Sequence, residues 1–126
     1  MKTALRINTD FTTEVLDLET ESYEQLRDAV GGLIQCVDLR DDLTIWVNEE
    51  GKLINGMEPN VIGTHLWEKS FGMTDVIMGN IVVTGAPDDE GYNHPLSPTW
   101  VRQLTDLAAT LATARSGGGV RFYAGD

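Results

Sequence analysis

Hydrophobic and polar positions alternate in short runs along this chain of 126 residues, and the runs predict strands separated by turns. The strand-like runs are residues 3–8, 12–18, 33–39, 43–48, 52–55 and 75–84. Gly51, in the turn before the 52–55 run, is expected to adopt a positive φ angle. The runs between residues 33 and 55 therefore predict an antiparallel β-meander.

The most apolar of these runs, residues 75–84, has apolar side chains at both alternating positions. This pattern indicates a central strand that is covered on both faces. The pair Gly79-Asn80 within it predicts a bulge that leaves backbone groups free for a ligand, or alternatively a hairpin turn.

Three segments have helical patterns. The first has Ser22 as N-cap, Gln25 completing a capping box, and Gly31-Gly32 as its stop signal. Its apolar stripe consists of Tyr23, Leu26 and Val30. Asn60 is expected to cap a short middle helix in which Ile62, Leu66 and Trp67 face inward, although Gly63 makes a single turn or an irregular segment equally compatible.

The last helix is predicted from Ser97 as N-cap and Pro98 at the first helical position. Its apolar stripe consists of Trp100, Leu104, Leu107, Ala108 and Leu111. We therefore predict one compact α+β domain over residues 1–116, with a mostly antiparallel or mixed sheet. Residues 117–126 form a glycine-rich tail that is either mobile or docks as an edge strand.

The net charge of −11 is concentrated in one third of the chain. Residues 10–50 hold twelve of the twenty acidic residues but two of the nine basic ones. Phosphates would be repelled by this excess, which argues against direct binding to nucleic acid or to an anionic membrane. The excess favours a basic patch on a partner protein, or a solvated face with no partner. The candidate partner-binding residues are Asp17, Glu19, Glu21, Glu24, Asp28, Asp41, Asp42, Glu49 and Glu50.

Aromatic residues suggest a different kind of site, for a small ligand or nucleotide. Its candidate residues are Trp46, His65, Trp67, Phe71, Trp100, Lys69, Arg102 and Arg121, and a homodimer interface is one way to complete it. The alternative interpretation of Trp46 is core packing.

Reaction centres, metal sites and cofactor fingerprints are not recognisable in the sequence. Cys36, the single cysteine, lies in an apolar run and is expected to be buried and inert, and it has no local pairing with His65 or His94. We therefore expect no metal, no cofactor and no catalytic residue, and a small enzyme is the less favoured class. The N-terminus lacks a signal-peptide pattern and no window is long enough to span a membrane, so we expect a cytoplasmic protein.

Several short sequence blocks in the middle of the chain, taken in order, carry a resemblance to other proteins. They are Tyr23-x-x-Leu26, Val30-Gly-Gly-x-Ile34, residues 37–39, residues 47–53, Asn60, residues 74–80 and Thr84-Gly85. These blocks, over residues 22–91, resemble a family of small proteins described only as a domain of unknown function, common in phages of actinobacteria and found in some bacterial genomes. The resemblance implies a phage-encoded accessory protein acting in the host cytoplasm, and it supplies no catalytic residues. We expect it to act by binding a host or phage protein, as an inhibitor or as a DNA mimic.

Overall fold

The computed structural model describes residues 2–19 and 22–115, which form a five-stranded sheet and three α-helices. The elements in chain order are β1 (Lys2–Ile7), β2 (Thr13–Leu18), α1 (Tyr23–Val30), β3 (Ile34–Asp38), β4 (Leu43–Asn48), a 3-10 helix (Gly51–Leu53), α2 (Val61–Phe71), β5 (Ile81–Gly85) and α3 (Pro98–Arg115). The tail predicted at residues 117–126 lies outside the described residues.

The strands lie in the order β2-β1-β5-β4-β3, and every neighbouring pair is antiparallel. Two local hairpins, β1–β2 and β3–β4, therefore form the two halves of the sheet, and β5 joins them. All five residues of β5 are buried, which confirms the predicted central strand. The α+β class with an antiparallel sheet is also confirmed.

Each face of the sheet is covered by helices. Helices α2 and α3 pack on one face, where Leu5, Ile45 and Val83 are among the buried strand residues. Helix α1 packs on the other face, against Ala4 and Val82. Because successive strand residues point to opposite faces, a single strand contributes to both cores.

The helix termini confirm two of the three predicted caps. Asn60 Oδ1 accepts the backbone N–H of Gly63 at 2.9 Å, and α2 extends over eleven residues rather than a single turn. Ser97 Oγ accepts the N–H of Trp100 at 3.2 Å at the start of α3.

The predicted capping box of α1 is wrong. Ser22 makes no side-chain cap bond, and the Gln25 amide instead bonds the backbone of Asp17 and Glu19 at the end of β2. Tyr23 is exposed and does not belong to the apolar stripe of α1. The buried residues of this helix are Leu26, Ala29 and Val30. Gly31 ends the helix with φ of +81°, as predicted.

The predicted strand at 52–55 does not form, so the meander ends with β4. The chain turns into the 3-10 helix, and Gly51 does not have a positive φ. The physical requirement at Gly51 is close packing, because a Cβ there would lie 3.1 Å from the carbonyl oxygen of Met78. Without a 52–55 strand, the second side of β4 is free to pair with β5.

The predicted 75–84 strand is shorter than expected, and β5 begins only at Ile81. The backbone of the preceding residues bonds the segment that enters α2: the Ile77 carbonyl accepts the N–H of Asn60, and the Gly79 N–H donates to the Glu58 carbonyl. The Gly79 carbonyl accepts from the Asn60 side chain. The interpretations of Gly79-Asn80 as a ligand-binding bulge or a hairpin turn are therefore both wrong.

Cys36 is exposed on β3, which corrects the expectation of a buried thiol. Periodicity could not show this, because β3 lies at the edge of the sheet and α1 contacts mainly β4 and β5. An apolar run at an edge is only partly covered.

Candidate functional site

The nine acidic residues predicted to bind a partner do not form one continuous row on the folded surface. Asp41 and Asp42 lie in the turn before β4, whereas Glu49 and Glu50 follow its last residue, at the opposite end of the sheet. The remaining described ones are Asp17 on β2, Glu19 after it, and Glu24 and Asp28 on the exposed side of α1. Glu21 lies outside the described residues. DNA mimicry requires a continuous row of carboxylates on the surface. The described members of the predicted set lie instead at opposite ends of the sheet and on α1.

The fold instead gathers carboxylates from three connections at the end of the sheet where β4 begins and β5 ends. Leu43 pairs with Gly85, and the Ala86 N–H donates to the Asp42 carbonyl, so the β3–β4 turn lies beside the loop after β5. Strand β1 pairs antiparallel with β5, with Leu5 opposite Val83, so β1 begins at the end of the sheet where β5 ends. Leu18 pairs with Lys2, so β2 ends there too. We call this surface the acidic end, and its residues are Glu19, Asp38, Asp41, Asp42, Asp88, Asp89 and Glu90.

The loop from residue 86 to 94 holds part of the acidic end in a defined conformation. The Asp88 carboxylate accepts the backbone N–H groups of Glu90 and Tyr92 at 2.8 and 3.0 Å. Desolvation acts to raise the pKa of Asp88, but these two hydrogen bonds, with smaller contributions from the positive charges of His94 and Lys2, leave it lowered. The partner-binding residues predicted from the sequence did not include Asp88–Glu90, although these form an acidic run in a loop bounded by prolines.

A groove of about 510 Å³ opens beside the acidic end, between the β3–β4 turn and the start of α3. Asp41, Asp42 and Trp100 are among the residues that line it. The remaining lining residues are Leu43, Gly85, Ala86, Pro87, His94, Pro95, Leu96 and Ser97. The groove therefore combines carboxylates with an apolar and aromatic surface.

Lys69 on α2 already places a cation at this groove. Its Nζ lies 3.3 Å from Asp41 Oδ2 and 6.0 Å from the centroid of the Trp100 ring. An ammonium group is attracted both by a carboxylate and by the face of an indole. The internal contact shows that Asp41 and Trp100 together form a favourable environment for a positively charged group.

The aromatic residues proposed for a ligand site do not converge. Trp67 and Phe71 contact each other on α2 with ring centroids 4.6 Å apart, on one side of the sheet. Trp46 packs with the cluster on the other side and donates its Nε1–H to Thr84 Oγ1 at 2.9 Å. His65 is exposed on α2 and Arg102 is exposed on α3.

Trp46 also lines a smaller cleft of about 140 Å³ on the α1 side of the sheet. Its other lining residues are Lys2, Leu18, Glu19, Ser22, Leu26, Thr84 and residues 91–94. The indole N–H and the Thr84 hydroxyl are already bonded to each other, and Thr84 Oγ1 also bonds the Gly85 carbonyl. The indole N–H and the Thr84 hydroxyl are therefore engaged in hydrogen bonds within the protein.

Within residues 2–19 and 22–115, no group of three or more His, Cys, Asp or Glu side chains is arranged to hold a metal ion. None of the helices in that part of the chain has the length and apolar character to cross a membrane.

Comparison with known proteins identifies one family model. It is described as a domain of unknown function, DUF3846, and it matches residues 1–109. No curated protein and no solved structure matches the chain.

Proposed function

We propose that this chain, which belongs to the DUF3846 family, acts by binding a basic surface of another protein through its acidic end. The observation that carries the proposal is the meeting of carboxylates from three separate connections beside an open groove. Asp41 is the member with an ion pair to a lysine, and Asp42, Asp89 and Glu90 are exposed.

Charge supports this choice of surface. Among the described residues, three basic side chains lie in the same connections or at the adjoining ends of strands and helices: Lys2, Arg40 and Lys69. The acidic end holds seven carboxylates, so negative charge is in excess there. An excess of one sign steers a partner of opposite charge and raises its association rate. Such binding weakens with salt, because the Debye length shrinks from about 10 Å at 0.1 M to about 3 Å at 1 M.

The groove supports specificity beyond charge. Exposed ion pairs are each worth only about 0–1 kcal/mol, so carboxylates alone would discriminate poorly between basic partners. Trp100 adds a flat apolar surface, and aromatic residues are enriched among those that dominate binding energies. A lysine or arginine of the partner that enters the groove would meet Asp42 and Trp100 together, as Lys69 meets Asp41 and Trp100.

The proposal is tested with two variants that each remove three negative charges. D42N/D89N/E90Q removes three of the seven carboxylates of the acidic end, and Asn is suited to position 42 because the native φ is +57°. E49Q/E50Q/E58Q removes the same charge from exposed residues outside the acidic end.

Each immobilised protein is exposed to a lysate of the cells that carry its gene, at about 0.1 M and about 1 M salt. The expected result is a partner that wild type and E49Q/E50Q/E58Q retain at low salt and that D42N/D89N/E90Q does not. With that partner purified, three lost pairs at about 0.5 kcal/mol each predict an affinity roughly tenfold weaker. Equal binding by both variants, or binding insensitive to salt, would contradict the proposal.

The proposal also assigns the protein to phage-encoded accessory proteins that act in the cytoplasm of the host and inhibit or redirect the protein they bind. What supports this part is the resemblance of the blocks in residues 22–91. Genes of this family found mainly outside phage genomes and prophages would contradict it.

A further inference from the structure

The outer edge of β3 carries unpaired backbone groups. In the described part of the chain, β3 pairs with β4 on one side and with no strand on the other. The Glu49 N–H donates to the Leu33 carbonyl, and the Leu39 N–H donates to the Leu43 carbonyl. Since hydrogen-bonded pairs alternate along an antiparallel ladder, Cys36 and the residues two positions either side of it direct their N–H and C=O groups outward.

This edge lacks the features that usually block pairing between sheets. Natural edge strands carry lysine, proline, bulges or inward-pointing charges. Strand β3 has the sequence Ile-Gln-Cys-Val-Asp, with a single charge at its end. The other edge strand, β2, carries Glu14 and Asp17 within it.

Apolar side chains are exposed next to the β3 edge. Gln35 and Val37 line a cleft together with Leu53, Trp67 and Val76. Leu53 is 81% exposed and Val76 is 46% exposed. Phe71, the last residue of α2, is 44% exposed, and Met73, after the helix, is 89% exposed. Large apolar residues that gather around an open sheet edge indicate a surface that another chain covers.

We propose that a second copy of this chain pairs with β3, antiparallel and about a two-fold axis at Cys36. Cys36 then lies opposite Cys36 of the second copy, and Ile34 lies opposite Asp38. These are the residues whose backbone groups point outward, so each pair exchanges both of its N–H···O=C bonds. The two sheets become one continuous sheet, and the apolar clefts of the two copies meet on the same face.

The number of charges on each edge strand favours a second copy at β3 over a second copy at β2. The pairing about Cys36 places each Asp38 opposite an isoleucine and brings no two charges face to face. Strand β2 carries two carboxylates, Glu14 and Asp17, so two copies joined at β2 would bring four carboxylates together, against two at β3. A self-complementary strand also suits the isologous interface of a two-fold dimer.

The dimer is expected to be weak and to strengthen with salt. Five paired residues with a few apolar neighbours make an interface near or below the lower limit of stable complexes, about 1,200 Å² of total buried surface. Each copy carries a net charge of −11, so the copies repel each other at low ionic strength. This salt dependence is opposite to that of the proposed basic partner, so the two proposals can fail separately.

The test is sedimentation equilibrium of the reduced protein between about 1 μM and about 1 mM. The mass is expected to rise reversibly from 13.8 kDa toward twice that value, at lower concentrations in high salt than in low salt. Cys36→Lys places two ammonium groups opposite each other and is expected to weaken association at least tenfold. Val15→Lys, at an exposed position of the other edge strand, is the matched control and should associate as wild type does.

Cross-linking provides a measurement that does not depend on a variant that folds. Paired Cα atoms in this register lie about 5.5 Å apart, so a short bismaleimide should join two reduced copies through their single cysteine. A wild type that stays monomeric, a dimer that Cys36→Lys leaves intact, or one that Val15→Lys disrupts equally would each overturn the proposal. Capture of a different protein on β3 by a monomeric wild type would do the same.

Discussion

Asn60 is the residue whose replacement tests the packing of this fold most directly. Its side chain is 1% exposed and makes three hydrogen bonds. Oδ1 accepts from the Gly63 N–H at 2.9 Å, and Nδ2 donates to the carbonyls of Ile7 and Gly79, both at 3.0 Å. One amide thus joins the start of α2 to the end of β1 and to the segment that leads into β5.

The expected cost of Asn60→Ala follows from these three bonds. Loss of a helix N-cap costs about 1 kcal/mol. Two buried carbonyls lose a donor, at about 1 kcal/mol each, which gives about 3 kcal/mol in total. For a domain with a free energy of unfolding of about 5–15 kcal/mol, this is a large fraction. Asn60→Asp keeps the acceptor but faces both carbonyls with a second oxygen, so we expect it to be at least as destabilising.

The assay is equilibrium unfolding in urea, followed by fluorescence and by circular dichroism. With an m-value of about 1.5 kcal/mol/M, the midpoint of Asn60→Ala should fall by about 2 M. Ser97→Ala removes the single cap bond of α3 at an exposed site and should cost about 1 kcal/mol or less. The reasoning is refuted if the two alanine variants lose equal stability, or if Asn60→Asp unfolds like wild type.

Three further changes test other contacts. Gly85→Ala should lower the melting temperature by several degrees in thermal unfolding, because the new Cβ would lie 2.8 Å from two backbone carbonyl oxygens; an unchanged value would contradict the contact. Trp46→Phe removes the bond to Thr84 and should cost about 1 kcal/mol or more in urea unfolding, and a smaller cost would show that the bond contributes little. Hydrogen bonds from the side chain and backbone of Thr12 lower the pKa of Asp10 below 3.8. The ionised Asp10 therefore stabilises the fold above about pH 3.8, and this stabilisation is lost as the pH falls through the pKa of Asp10 in the folded state. Thr12→Val should raise the pKa of Asp10 toward 3.8 in an NMR titration, and no movement would contradict the assignment.

Signals that act within a few residues were predictable from the sequence. The caps Asn60 and Ser97 were identified because a capping side chain bonds a backbone N–H three residues further along the chain. Gly31 was identified as a helix stop because a left-handed residue is a local property. The antiparallel pairing of β3 with β4 was predicted for the same reason, and β1 and β2 were predicted as two neighbouring strands separated by a turn.

Predictions failed where a distant partner competed with a local one. Gln25 was expected to complete a cap within α1, but the end of β2 offers its amide a donor and an acceptor. The apolar residues before β5 continue the pattern of a strand buried on both faces, yet their backbone bonds the α2 entry segment. Cys36 was expected to be buried because its neighbours are apolar, and its exposure depends on the position of β3 in the strand order.

The sequence by itself determined an acidic α+β domain, the caps Asn60 and Ser97, the Gly31 helix stop and the antiparallel run of β3 and β4, because hydrophobic periodicity and capping are properties of neighbouring residues. Only the tertiary structure decided that β5 joins the hairpins and that Asp88–Glu90 adjoin Asp41 and Asp42. These two acidic groups are more than forty residues apart in the sequence, and the antiparallel pairing of β4 with β5 brings them to the same end of the sheet. The physical reason is that strand order depends on the simultaneous burial of both sheet faces, which the pattern of a single segment does not contain.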